Sequence, residues 1–193
     1  MTTVRTFLAL SVIVTILVAP MAAAPFVLFP KTGELVSPDG HFVVRNVERT
    51  GSPRDFVGTS HSLWLLEPAT GRSRKLCDYL GVAAAAWSSN GFLVVTEYVG
   101  KRTSRALVFS VAQPVDPVVL DKRTLVYLVP ATLRATLREN DHVFIEASRV
   151  EKETLALRVW GYGQHDSAGF RWNCEYDLQQ GSLSCNPKGG IPH

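Results

Sequence analysis

The chain reads as an all-β protein of antiparallel, blade-like repeats, forming a partial β-propeller or a curved sheet or sandwich. Three observations predict this. Glu34 to Val44 and Gly81 to Val95 share one pattern: a short apolar run, a polar turn ending in Gly, then a run rich in β-branched and aromatic residues. Such a pattern marks strand–turn–strand, because the Gly of Asp-Gly or Asn-Gly accepts φ > 0 without steric cost. The pattern also recurs: Ser37 and Ser88 stand 51 residues apart, and a weaker third copy starts at Arg138, 50 residues beyond Ser88. A period of roughly 40–50 residues with several strands per unit is the mark of a propeller blade. Finally, Pro38 directly follows Ser37 in the first copy. It argues for strand in the equivalent Tyr79 to Trp87, against the helix propensity of four alanines.

The elements follow in order. Phe26 to Phe29, closed by Pro30, starts the first strand. Glu34 to Ser37 and His41 to Val47 form a hairpin around Pro38-Asp39-Gly40, and a polar loop runs from Glu48 to Ser60. Ser62 to Leu66 is the next strand, and Pro68 to Gly71 turns the chain into Arg72 to Leu76. The second unit repeats this with Val82 to Ser88, Phe92 to Val99, Arg105 to Val111 and Val118 to Leu120. In the third, Arg138 to Ile145 reads as turn then strand, Leu155 to Trp160 as strand, and Phe170 to Tyr176 as strand. That unit is expected to hold one strand more than the others. The units span 31–78, 79–128 and 129–187.

Whole-chain properties narrow the class. With 193 residues, 46% hydrophobic and 19% charged, the chain suits one folded domain over 25–193 and not a disordered one. The net charge of +3 comes from basic residues scattered among acidic ones, so no nucleic-acid groove is expected. Residues 1–24 read as a signal peptide: Arg5, an apolar run from Phe7 to Ala19, then Ala22-Ala23-Ala24. Cleavage after Ala24 would leave Pro25 at the new terminus, so a cut after Ala23 is equally open. Retention as an anchor is open too, since Phe7 to Phe29 is apolar over the length of a membrane span. The expected product is periplasmic or secreted, with no membrane span after cleavage.

Cysteine usage agrees with export. Cys174 and Cys185 flank a segment whose centre, Gln179-Gln180-Gly181, reads as a hairpin turn. The turn sets them near opposite positions on paired strands, within disulfide reach. Cys77 is left over, either a small buried hydrophobe or an intermolecular thiol.

Val36 to Val44, with Ser37-Pro38-Asp39-Gly40, and Ala86 to Val95, with Ser88-Ser89-Asn90-Gly91, resemble the blades of TolB-type (WD40-like) propellers. In that family an apolar strand enters Ser-Pro-Asp-Gly and leaves as the next strand. The resemblance runs over roughly Glu34 to Cys185 and implies protein–protein interaction in a bacterial envelope. The chain has room for about three blades, fewer than the four to eight of a closed ring. A monomer capped by the third unit's surplus strand is expected, with a ring-closing homodimer as the other route.

Candidate chemistry is sparse. Gly163 to Gly169 carries His165, Asp166 and Ser167 in a row, but neighbours on an extended loop diverge, whereas a catalytic triad must converge. Trp160 and Trp172 flank that loop and offer a binding rim with His165 and Asp166, while Trp64 and Trp87 read as core. His41 and His142 each open a strand after a turn, yet no second ligand pattern supports a metal, and no cofactor motif is present. The expected function is a non-catalytic binding protein of the envelope, such as an immunity or inhibitor protein. The alternative is a small periplasmic hydrolase using the His165/Asp166 loop.

Overall fold

A computed structural model describes residues 25–48, 60–99, 102–111, 116–163 and 169–188. The signal-peptide reading of 1–24, most of the Glu48 to Ser60 loop, and His165 and Asp166 lie outside them.

The chain is mostly antiparallel strand. β2 (Glu34–Val36), β3 (Val43–Glu48), β4 (Ser60–Glu67) and β5 (Arg72–Leu80) form a four-stranded meander. β6 (Ala83–Trp87), β7 (Phe92–Val99), β8 (Thr103–Ser110) and β9 (Val118–Leu120) form a second. β10 (His142–Glu151), β11 (Thr154–Tyr162), β12 (Phe170–Asp177) and β13 (Leu183–Lys188) form a third. The second and third are joined where β10 runs parallel to β8 at Val143 and Thr103, and β1 (Val27–Phe29) pairs with β6, giving one nine-stranded sheet.

The first two hairpins use the same turn chemistry. The Ser37 hydroxyl accepts from the Phe42 N–H at 2.9 Å, as Ser88 accepts from Phe92 at 3.0 Å. Ser37 also donates to Asp39 Oδ1, which takes the His41 N–H; these bonds and not burial hold the exposed Asp39 carboxyl below its usual pKa. Gly40 (φ 73°) and Gly91 (φ 79°) occupy the left-handed positions. The first turn is one residue longer, and His41 is the extra residue.

The β6–β8 sheet is buried on both faces, which is why Ala83 to Trp87 and Leu93 to Val95 read as unbroken apolar runs. Ala83, Ala85, Trp87, Leu93, Val95, Leu107 and Phe109 meet Val44, Leu63, Leu65, Cys77 and Tyr79 of the four-stranded sheet in a first core. Their neighbours Ala86, Val94, Ala106 and Val108 face the opposite way, into a second core with Ile145, Leu157, Val159 and Trp172. The nine-stranded sheet therefore curves around the second core.

Four sequence expectations need correcting. Two helices, α1 (Lys122–Leu128) and α2 (Ala131–Glu139), interrupt a chain expected to be strand throughout, and the second extends into the turn expected from Arg138. Asp121 caps α1 by accepting from the Thr124 N–H at 2.8 Å, and Leu125 and Leu137 insert into the second core. Among the described residues the third unit has four strands, as each of the others does, with no surplus strand to act as a cap. His41 does not open its strand but lies in the hairpin turn before β3, whereas His142 opens a strand that follows α2. Trp64 is half-buried on the outer face of β4, since it alternates with the inward Leu63 and Leu65, while Trp87 is core as expected.

Beyond Val143, β10 leaves the β8 backbone and is held through side chains. The buried Ser104 hydroxyl donates to Ile145 O at 2.9 Å and accepts from Ile145 N at 2.7 Å, so one side chain stands in for a neighbouring strand. On β7, Thr96 Oγ1 accepts from Ala147 N at 3.2 Å.

Two expected outcomes follow from this layering. Ser104→Ala strands a buried N–H and a buried C=O of Ile145 and costs about 2 kcal/mol or more in urea unfolding; a neutral result would mean that water replaces the hydroxyl. Ala85→Leu and Ala86→Leu, on opposite faces of β6, each cost about 1–3 kcal/mol by overpacking. Tolerance of either one would show that its face is not covered.

Candidate binding face on the third meander

β11 and β12 alternate cleanly between buried and exposed residues, as strands do when one face meets the core and the other meets water. Aliphatic and aromatic residues fill the inner face. The outer face is unusual in also carrying large rings. Cross-strand pairing sets His142 opposite Tyr162, Phe144 opposite Trp160, and Glu146 opposite Arg158. The first two pairs are stacked, with ring centroids 4.6 Å and 4.0 Å apart. Phe144 also lies 6.2 Å from Tyr162, which joins the pairs into one cluster. Tyr162 is 40% exposed and Trp160 half-buried, so the cluster meets solvent through its outer rings.

Charge borders the rings. Glu146 lies 3.6 Å from Arg158 and accepts a hydrogen bond from the Tyr98 hydroxyl at 3.1 Å. Burial, and then the neighbouring Glu146 carboxylate, raise the Tyr98 pKa above that of a free phenol. On the far side Trp160 pairs with the exposed Arg171 of β12. Beyond this row the face continues as an open polar groove of about 710 Å³, lined by Arg158, Asn173, Glu175, Ser184 and Asn186 among others.

The residues singled out from sequence separate here. Trp160 belongs to the outer face. Trp172 pairs with Val159, points the other way and is buried in the second core against Phe170, so it forms no rim with Trp160. The period-two alternation decides this, since 160 and 172 occupy opposite faces once register is set. Cys174 and Cys185 stand directly opposite each other and form the disulfide, with Cα atoms 4.0 Å apart. The sequence singled out His142 only as a candidate metal ligand, and Phe144, Tyr162 and Tyr98 not at all; alternating aromatics in His142-Val143-Phe144 and Trp160-Gly161-Tyr162 were the available signal.

A second polar cluster lies between the first and second meanders. Glu97 is buried there, with Arg105 Nε at 2.6 Å, in a small cavity of about 160 Å³ that Asp78 and Tyr79 also line. Burial pushes the Glu97 carboxyl up, partly offset by Arg105. Burial likewise pushes Cys77 up to about 12, so it stays a thiol at neutral pH and is no nucleophile. Nearby, Tyr79 donates to Asn46 Oδ1 at 2.6 Å and stacks on His61. Among the described residues no group of three or more His, Cys, Asp or Glu is placed to hold a metal ion.

The raised Glu97 pKa couples folding to pH. The folded state holds the proton more tightly than the unfolded chain, so stability is full below the ordinary carboxylate pKa and falls as pH rises through the folded value. Glu97→Gln removes that slope. Its stability relative to the parent protein is expected to improve as pH rises above the ordinary carboxylate pKa of about 4 in urea titrations; parallel curves would show that Glu97 is not shifted upward.

No protein-family model matches the chain, and neither a curated protein nor a solved structure matches it, so a functional reading rests on the geometry of its own surfaces.

Proposed function

We propose that the chain is an exported, non-catalytic binding protein of the bacterial envelope that holds a protein partner on the outer face of β10–β12. The observation that carries this reading is the stacked His142, Tyr162, Phe144 and Trp160 cluster on a solvent-facing sheet surface, bordered by Arg158 and Arg171. Aromatic residues and Arg dominate the energetically important positions of protein interfaces, because they desolvate large areas at low entropic cost. Isolated exposed apolar residues need no such explanation; a contiguous, cross-strand stacked group does.

Two further observations support the setting. The Cys174–Cys185 bond suits an oxidising compartment. Among the described residues no helix is long and apolar enough to cross a membrane. The resemblance of the Ser37 and Ser88 turns to TolB-type blades favours the envelope, and an immunity or inhibitor protein is the specific form proposed.

The test is affinity capture from envelope extract, with Trp160→Ala and Tyr162→Ala beside the parent protein. A partner retained by the parent is expected to weaken by about 2 kcal/mol, roughly 30-fold, for Trp160→Ala, with unchanged thermal unfolding. Equal retention by both variants would remove this face from the function. Hydrolase activity in a broad substrate screen, abolished by His165→Ala, would replace the binding reading altogether.

A further inference from the structure

A second surface, remote in sequence from the aromatic face, has its own chemistry. β5 is the last strand of the β2–β3–β4–β5 sheet, so among the described residues one side of it carries no ladder. Such an edge is a template for an added strand. Beside its first half lies a cleft of about 510 Å³, within the roughly 300–1,000 Å³ common for ligand sites. Phe42, Leu65 and Val111, all packed on the first core, supply its apolar part.

The rim carries two arginines, Arg72 and Arg74, against one carboxylate, Glu67. Leu65 pairs with Arg74 and Glu67 with Arg72, and residues directly opposite share a face of the sheet. Leu65 points into the first core, so both arginines sit on the core-facing side of an edge strand and line the cleft. A charged residue turned to the inner side of an edge strand discourages indiscriminate pairing. It also leaves a strong anion-recognition element beside an apolar hollow. Neither guanidinium has an ion-pair or hydrogen-bond partner among the described residues. Glu67, the nearest carboxylate by register, instead accepts from the Thr70 hydroxyl at 2.7 Å.

An unpaired main-chain edge, an apolar hollow and two free guanidinium groups match three features that one ligand presents together. An extended peptide with a free C-terminus offers backbone donors and acceptors, an apolar last side chain and a carboxylate within one residue of each other. Guanidinium binds carboxylate in bidentate fashion, which gives direction as well as affinity. We propose that β5 and its cleft bind the free C-terminus of an extended peptide with an apolar last residue, added antiparallel to β5, its carboxylate held by Arg72 and Arg74. With the carboxylate at the start of β5, the preceding residues run along the edge toward Leu76. There the register shifts between the Leu63–Cys77 and Trp64–Lys75 pairs and ends the regular edge, so recognition covers only the last few residues of the ligand. This site does not depend on the function proposed for the aromatic face.

The test uses the purified protein and two octapeptide libraries, each ending in Leu, Val or Phe, one as free acids and one amidated, read by fluorescence polarisation. Free acids are expected to bind, and amidation to weaken them about tenfold or more, since a charged hydrogen-bond partner is lost. Arg72→Gln/Arg74→Gln is expected to cause a similar loss with unchanged thermal unfolding; Arg72→Gln alone, at an exposed position, serves if the double variant folds poorly. Equal affinity for acid and amide, indifference to the arginine substitutions, or no binding by any free acid would overturn the proposal. Decanoate is the third arm: arginine-dependent binding of decanoate with no peptide bound would assign the cleft to a free anionic amphiphile and overturn the added strand.

Discussion

Burial of both faces of the β6–β7–β8 sheet is the constraint on which the rest depends. Alternation along a strand sends successive residues to opposite sides, so a sheet with water on one side needs only every second residue apolar. Here both sets are apolar, with Leu93 and Val95 in one core and Val94 in the other. One sheet thus serves as a shared wall. The four-stranded sheet closes one side of it, and the helices with the third meander close the other. The alanines of β6 belong to the same arrangement, since small side chains let layers approach closely on both sides.

A sheet covered on both faces still has edges, and their treatment shapes the outer parts of the molecule. β8 shares its far edge between β10, at Thr103, and β9, from Ala106 to Val108. A strand cannot pair fully with two neighbours on one side, so β10 departs after a single residue and its polar backbone needs other partners. Ser104 and Thr96 supply them from within the protein, which explains two buried hydroxyls in otherwise apolar strands. The departure also carries β10 over β7, where Tyr98 reaches Glu146. The strand beneath the aromatic face is therefore attached to the wall at both ends of the row, by backbone pairing at Val143 and by the Tyr98–Glu146 hydrogen bond.

Polar groups collect where the layers separate. The first core grades from Leu107 and Val95 to Arg105 and Glu97, the next inward positions along β8 and β7. Ionised Glu97 is costly at such a site, and the 36%-exposed Arg105 side chain compensates only in part, being shared with solvent. At the other end of the same interface Arg72 and Arg74 border the cleft by β5. Both ends of one inter-sheet seam are thus polar, with the apolar contacts confined between them.

Much of the local structure was legible in the sequence. Ser37-Pro38-Asp39-Gly40 and Ser88-Ser89-Asn90-Gly91 determine their turns, because the hydroxyl of the first residue and the positive φ of the last act within five or six residues. The Cys174–Cys185 pairing was equally readable, since a turn at Gln179-Gln180-Gly181 sets both register and reach. The helices between Asp121 and Glu139 have no counterpart in the strand repeat, although a capping Asp and a run of good helix formers stand in the sequence. Only the tertiary structure decided which side of each strand is covered. Trp160 and Trp172 are chemically alike and similarly placed beside a loop, yet one is on the surface and one in the core. Sequence determines that neighbours alternate; which set faces inward depends on the curvature of a sheet assembled from distant segments, and hence so does the position of every candidate site residue.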